Sequence, residues 1–113
     1  MVYQKLISKQ VAESTTPYEV FTASNDTIIS KIYVHNPSNT DVVVEMFFVD
    51  KSNANEFDGV NVIETSTKAF HTIIPTNDTD ILGNGLTLTS NQSIFIRVTN
   101  GSCIIHLFGK ISA

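Results

Sequence analysis

The closing stretch SIFIRVTNGSCIIHLFGKISA, residues 93 to 113, sets two strand-like patterns on either side of Asn100-Gly101. Ile94, Ile96 and Val98 alternate with Phe95, Arg97 and Thr99, and Cys103, Ile105 and Leu107 alternate with Ile104, His106 and Phe108. Period two belongs to a strand, whose successive side chains leave on opposite faces. A type I′ turn needs φ > 0 at both central residues, which Asn-Gly tolerates best, so the stretch predicts a final β-hairpin. The second strand is apolar on both faces. A chain of 113 residues has room for one core, so that second face needs a cover.

The same grammar runs upstream. YEVFTAS predicts a short strand, Asn25-Asp26 a turn, and TIISKIYVHN a strand with Ile28, Ile32 and Val34 inward and Lys31, Tyr33 and His35 outward. NPSNT closes a hairpin onto DVVVEMFFVD, because Pro37 cannot donate to a ladder and fixes its own φ. Val42, Val44, Met46 and Phe48 then share one face, and Val43, Glu45, Phe47 and Val49 the other. A long polar loop over 51–66 follows, with room for a short strand at 60–63, and then TKAFHTII and DILGNGLTLT as strands. No segment carries a capped 3.6-residue period. The expectation is one all-β domain over 15–113, a single sandwich of about eight short antiparallel strands, immunoglobulin-like or jelly-roll, with a small barrel as the alternative. Residues 1–14 alternate weakly and fit an edge strand or an extended arm.

Charged residues are only 16% of the chain, the net charge is -4, and the single cysteine cannot form an internal disulfide. No basic footprint exists for direct nucleic-acid contact or an anionic membrane surface. No stretch approaches the ~20 apolar residues of a membrane span, and the N-terminus lacks the apolar run of a signal peptide. Synthesis in a cytoplasm is expected.

The chemical inventory is thin. His35, His71 and His106 lack the close spacing of a metal-binding pair, although His35 and His106 both fall on outward strand faces. Asp50, Asn53, Asn55, Glu56 and Asp58 gather oxygens before Gly59, but the glycine follows too late for an EF-hand. Asp78 and Asp80 in TNDTD are explained by a turn and a strand start. With no nucleophile elbow, phosphate loop or paired thiolates, the expectation is a non-enzyme without metal or cofactor.

What remains is surface. Tyr33, Val43, Phe47, Phe95, Ile104 and Phe108 fall on the outward faces and are the candidates for a subunit interface in a homo-oligomer. The polar loop, with Asn53, Asn55, Glu56, Phe57 and Asp58, is the candidate contact to a partner; it and the N-terminal arm could fold over part of the second face, but both are too polar to cover it all. A carbohydrate-binding module, stacking sugars on Tyr18 and Tyr33, is the rival from another class, weakened by the absence of Trp.

The order YEVFTASNDTIISKIYVHNPSNTDVVVEMFFVD, then HTIIPTNDTDILGNGLTLTSNQSIFIRVTNGSCIIHLFGKIS, resembles a class of small structural proteins encoded by tailed bacteriophages. The shared pattern is a tyrosine-containing strand, a TIISKIYVHNPSNT-like hairpin, a proline-started IPTNDT turn, a LTLTSNQSIFIRV strand and a last strand without site chemistry. It spans residues 18 to 112, and the 51–66 insertion departs from the simplest members. The resemblance implies a sandwich in a virion, made in the bacterial host cytoplasm. It further implies a capsid decoration or cement protein that contacts itself and other virion proteins such as the major capsid protein. A tail, neck or fibre-attachment protein is the alternative it leaves.

Overall fold

A computed structural model describes residues 4–112, those at 83 and 84 in backbone only. The strands are β1 (Gln4–Val11), β2 (Tyr18–Thr22), β3 (Thr27–His35), β4 (Val42–Asp50), β5 (Lys68–Ile74), β6 (Thr79–Leu88), β7 (Gln92–Thr99) and β8 (Cys103–Ile111), with a one-turn helix α1 (Glu64–Thr67) before β5. They form two four-stranded antiparallel sheets, a front sheet ordered β1-β8-β3-β6 and a back sheet ordered β2-β7-β4-β5. Two interlocked Greek keys in this order make a jelly roll, which decides between the two sandwich types expected. Of the two forms open to the N-terminus, an edge strand or an extended arm, an edge strand is present over Gln4–Val11, while residues 1–3 and 113 lie outside the described residues.

The topology corrects the hairpins. β7 pairs with β2 and β4, whereas β8 pairs with β1 and β3, so Asn100–Ser102 carries the chain across the sandwich and no final hairpin forms. NPSNT likewise takes the chain from β3 in the front sheet to β4 in the back. Among the described strands, only β4 and β5 are both consecutive and paired, and the longest connection joins them. Asn-Gly reports a reversal of direction, and it cannot say which strand the returning chain will join. Asn100 and Gly101 do have positive φ, 72° and 149°. The crossover is held by side chains from elsewhere. Glu13 Oε1 accepts from the Asn100 and Gly101 amides at 2.6 and 3.2 Å, and Thr40 Oγ1 donates to the Asn100 carbonyl at 2.8 Å.

The β3–β4 crossover turns on Asn36, which is fully buried. Its Nδ2 donates to the Thr40 and Ile74 carbonyls at 2.8 and 2.9 Å, and its Oδ1 accepts from the Ser38 amide at 2.8 Å. One side chain thus ties the crossover to the end of β5.

The core lies between the sheets. Ile29, Ile32, Val34, Ile105 and Leu107 from the front meet Val42, Val44, Met46, Ile94, Ile96 and Val98 from the back, all at 0% exposure. Strands β4, β7 and β8 keep the expected alternation, and β3 keeps it from Lys31 to His35 but breaks it at Ile28. A register shift between Ile29 and Lys31 turns Ile29 inward and leaves Ile28 half-buried on the outside, because the bulge adds one residue and reverses the phase. Gly109 lies against this bulge, where a Cβ would come within 1.9 Å of the Ile28 carbonyl oxygen.

Candidate functional site

The two outer faces meet different fates. On the back sheet, Phe47, Val49 and Phe95 project outward and form a second, smaller core with Phe57 and Val62 of the long loop. That loop folds as a flap. Phe57 and Val62 make an isolated β-bridge, the Ile63 amide donates to the Glu56 carbonyl at 2.9 Å, and the Phe57 ring lies 6.0 Å from that of Phe95. Phe47 and Phe95, expected at a subunit interface, are therefore 0% and 6% exposed within a single chain. The chain supplies its own cover here: the loop folds over this part of the outward set, within the partial cover expected of it, and makes Phe47 and Phe95 core residues of the single chain. Two apolar residues spaced to meet across a turn are enough, and they were visible as Phe57 and Val62 flanking Asp58-Gly59.

The flap's polar residues serve the flap itself. Asp50 Oδ1 accepts from the Ser52 amide and hydroxyl, Asn53 Oδ1 from the Asn55 amide, and Glu56 Oε1 from the Asp50 amide at 3.0 Å. Glu56 Oε2 accepts from Asn53 Nδ2, Asp58 Oδ1 from the Val60 and Asn61 amides, and the Asn55 carbonyl from Ser66 Oγ. Among the described residues, no three His, Cys, Asp or Glu side chains gather so as to hold a metal ion.

Beside the small core, Arg97 forks onto Glu64 at 2.8 and 2.9 Å and donates from Nε to Glu45 Oε1 at 2.9 Å, while Lys68 pairs with Glu45 Oε2. The Arg97 guanidinium also stacks 5.5 Å from the Phe47 ring centre. Burial pushes the Glu45 carboxyl up, but hydrogen bonds from Lys68 and Arg97 outweigh it and hold the group below its ordinary value. The Arg97 hydrogen bond holds Glu64 low as well. Helix α1 positions Glu64 for this role, a function that a lone acidic residue at the end of a polar loop did not announce. Val43 lies beyond the flap, half-buried next to the exposed Ile73 of β5.

Among the described residues, no such flap covers the front sheet. Tyr33, Ile104 and Phe108 share its outer face with Ile28 and Ile81, and Ile81 is 49% exposed. Tyr33 and Phe108 meet edge to face, with ring centres 5.6 Å apart at 87°. Ser30, Lys31, Tyr33 and Phe108 line a shallow pocket of about 300 Å³. The expected burial split in β8 is present, since Cys103, Ile105 and Leu107 are at 0% exposure and Ile104, His106 and Phe108 are half-buried on the outside. Cys103 is a core residue, and burial pushes its thiol up to about 12.

His35 and His106 flank the aromatic pair on neighbouring strands. His106 Nδ1 lies 3.0 Å from Ser8 Oγ and His35 Nδ1 2.7 Å from Thr79 Oγ1. Partial burial, reinforced by the charges of Lys5 and His35, pulls the His106 imidazole below its ordinary pKa. By register the outward positions of the four front strands carry Lys5, Lys31 and Lys110 and, among the described residues, no Asp or Glu. In a chain of net charge -4, this face is an aromatic and cationic island. Tyr18 belongs elsewhere, on β2 of the back sheet under Lys9 Nζ at 5.1 Å.

No protein family matches the chain, nor does any curated protein.

Proposed function

We propose that this protein is a non-enzymatic structural component of a virion, a capsid decoration or cement protein, which works by burying the outer face of its front sheet in an assembly. The observation that carries the reading is the unequal treatment of the two outer faces. The chain spends a whole insertion on covering Phe47 and Phe95 of the back sheet and leaves Tyr33, Phe108, Ile81 and Ile104 of the front sheet without one. Complete burial of an apolar side chain contributes roughly 1.5–3 kcal/mol, so finishing the burial of half-buried Tyr33, Ile104 and Phe108 and of exposed Ile81 returns part of that for each in an assembly. Few charged residues, 16%, suit contacts that must survive changes of salt, because apolar burial is not screened as ion pairs are.

The virion part of the proposal rests on the resemblance to small phage structural proteins and on the use of jelly rolls in viral shells, which is analogy from fold. On this reading the partners are further copies of the chain and other virion proteins such as the major capsid protein, and the chain is made in the bacterial cytoplasm. A place in the tail, neck or fibre attachment would use the same face. A sugar-binding role is less favoured, because Tyr18 and Tyr33 sit on different sheets and offer no common stacking platform.

Gradient-purified particles of the encoding virus test the proposal. The protein is expected in them, and Phe108→Asp, which would bury an unpaired carboxylate at each contact, is expected to be folded but excluded. Leu107→Asp is expected not to fold, since Leu107 is fully buried. Particles without the protein, or selective glycan binding by a monomer, would overturn the reading.

A further inference from the structure

We propose that the pocket beside Phe108 receives the Val60 tip of the flap of a second copy of this chain, so that copies associate head to tail. The inference rests on the reading of the front face as an assembly surface and names its occupant.

The tip is built to present an apolar residue. The Phe57–Val62 bridge closes its base, the Asp58 amide donates to the Asn61 carbonyl at 3.1 Å, and Asp58 Oδ1 accepts from the Val60 and Asn61 amides at 2.8 and 2.6 Å. Gly59 makes the turn at φ 99°, a conformation open to glycine. Val60 then stands 82% exposed, the most exposed large apolar side chain among the described residues. A solvent-facing tip gains nothing from a valine held this firmly.

The receptor is complementary in shape class and in charge. The pocket of about 300 Å³ offers the Tyr33 and Phe108 rings as walls and Lys31 at its rim, and Lys5 Nζ lies 5.8 Å from the Phe108 ring centre. The tip brings the exposed Asp58 carboxylate next to Val60, so an apolar knob with an anion enters an apolar hollow with cations. Face-to-face pairing of two front sheets would instead set two lysine-bearing faces, with no Asp or Glu at their described outward strand positions, against each other, which electrostatics opposes. The flap lies over the back sheet and the pocket on the front, so the contact joins unlike surfaces. Such a contact generates a ring or an open stack and never a two-fold dimer.

Sedimentation and native mass measurements on the whole chain at micromolar concentration test this. Wild type is expected to associate, and Val60→Ser to weaken association about tenfold through lost apolar burial. Lys31→Gln and Asp58→Asn, the latter keeping an oxygen for the turn, are each expected to weaken it by about three- to tenfold, and the double variant by no more than either single. Lys31, Asp58 and Val60 are all exposed, so circular dichroism should show every variant folded. A monomeric wild type, an unaffected Val60→Ser, or additive losses at Lys31 and Asp58 would overturn the contact. A wild type that is monomeric in solution yet present in particles would sink the head-to-tail contact and spare the virion reading. Head-to-tail association by a protein missing from particles would support the contact and sink that reading.

Discussion

Truncating Phe57 to alanine probes whether the flap is part of the folded unit. Phe57 is half-buried in the small core, over Phe47, Val49 and Phe95, which are 0%, 2% and 6% exposed. Half of the roughly 1.5–3 kcal/mol for complete burial gives about 1 kcal/mol. Its tilted contact with Phe95 at 6.0 Å adds about 0.5–1 kcal/mol. The sum is about 2 kcal/mol, before counting any wetting of Phe47 and Phe95. For a domain of this size, that lowers the unfolding midpoint by about 8 °C. Urea and thermal unfolding of the isolated chain, followed by circular dichroism, would read both quantities. Val60→Ala is the control, because Val60 is 82% exposed and its loss should move stability by less than about 0.5 kcal/mol. A Phe57→Ala chain within that same margin of wild type would mean that the flap does not cover the back sheet, and the contrast between the two faces would fail.

Gly109→Ala is expected to destabilise by about 3 kcal/mol in denaturant titration, because its methyl would meet the Ile28 carbonyl at 1.9 Å and the β3 backbone must move. Asn36→Leu should lower stability by about 2–3 kcal/mol, since the Thr40 and Ile74 carbonyls and the Ser38 amide lose their partner in a buried site. Glu45 and Glu64 have folded pKa values below their unfolded ones. Their contribution is therefore complete above the unfolded value near 4.5 and is lost as pH falls through the folded values. Stability measured from pH 6 downward should drop on acidification, and Arg97→Met should flatten that drop while lowering stability at neutral pH.

The sequence announced strands far better than their partners. Alternation in DVVVEMFFVD, SIFIRV and CIIHLF marks β4, β7 and β8 and assigns each side chain to a face, because period two is a property of one strand alone. Pairing is a property of the whole chain. Asn100-Gly101 and NPSNT mark changes of direction equally well in a hairpin and in a crossover between sheets, and here both are crossovers. Ile28 falls on the opposite face from the one alternation assigns it, because a bulge leaves no mark in TIISKIY beyond a polar Ser30-Lys31 pair. The interface candidates suffered from the same gap. Tyr33, Ile104 and Phe108 share the front face, while Val43, Phe47 and Phe95 belong to the back, and nothing in their spacing says that the two sets lie on opposite sides of the molecule. Phe57 and Val62 were legible as apolar residues around Asp58-Gly59, but their target on β4 and β7 was not.

If the protein is a virion component, as proposed, electron microscopy of purified particles in which it is found is the decisive measurement. Each copy is expected to bury the Tyr33–Phe108 face of its front sheet against a neighbour while its flap still covers Phe47 and Phe95. A copy bound with that face open to solvent, or held through the opened flap, would contradict it.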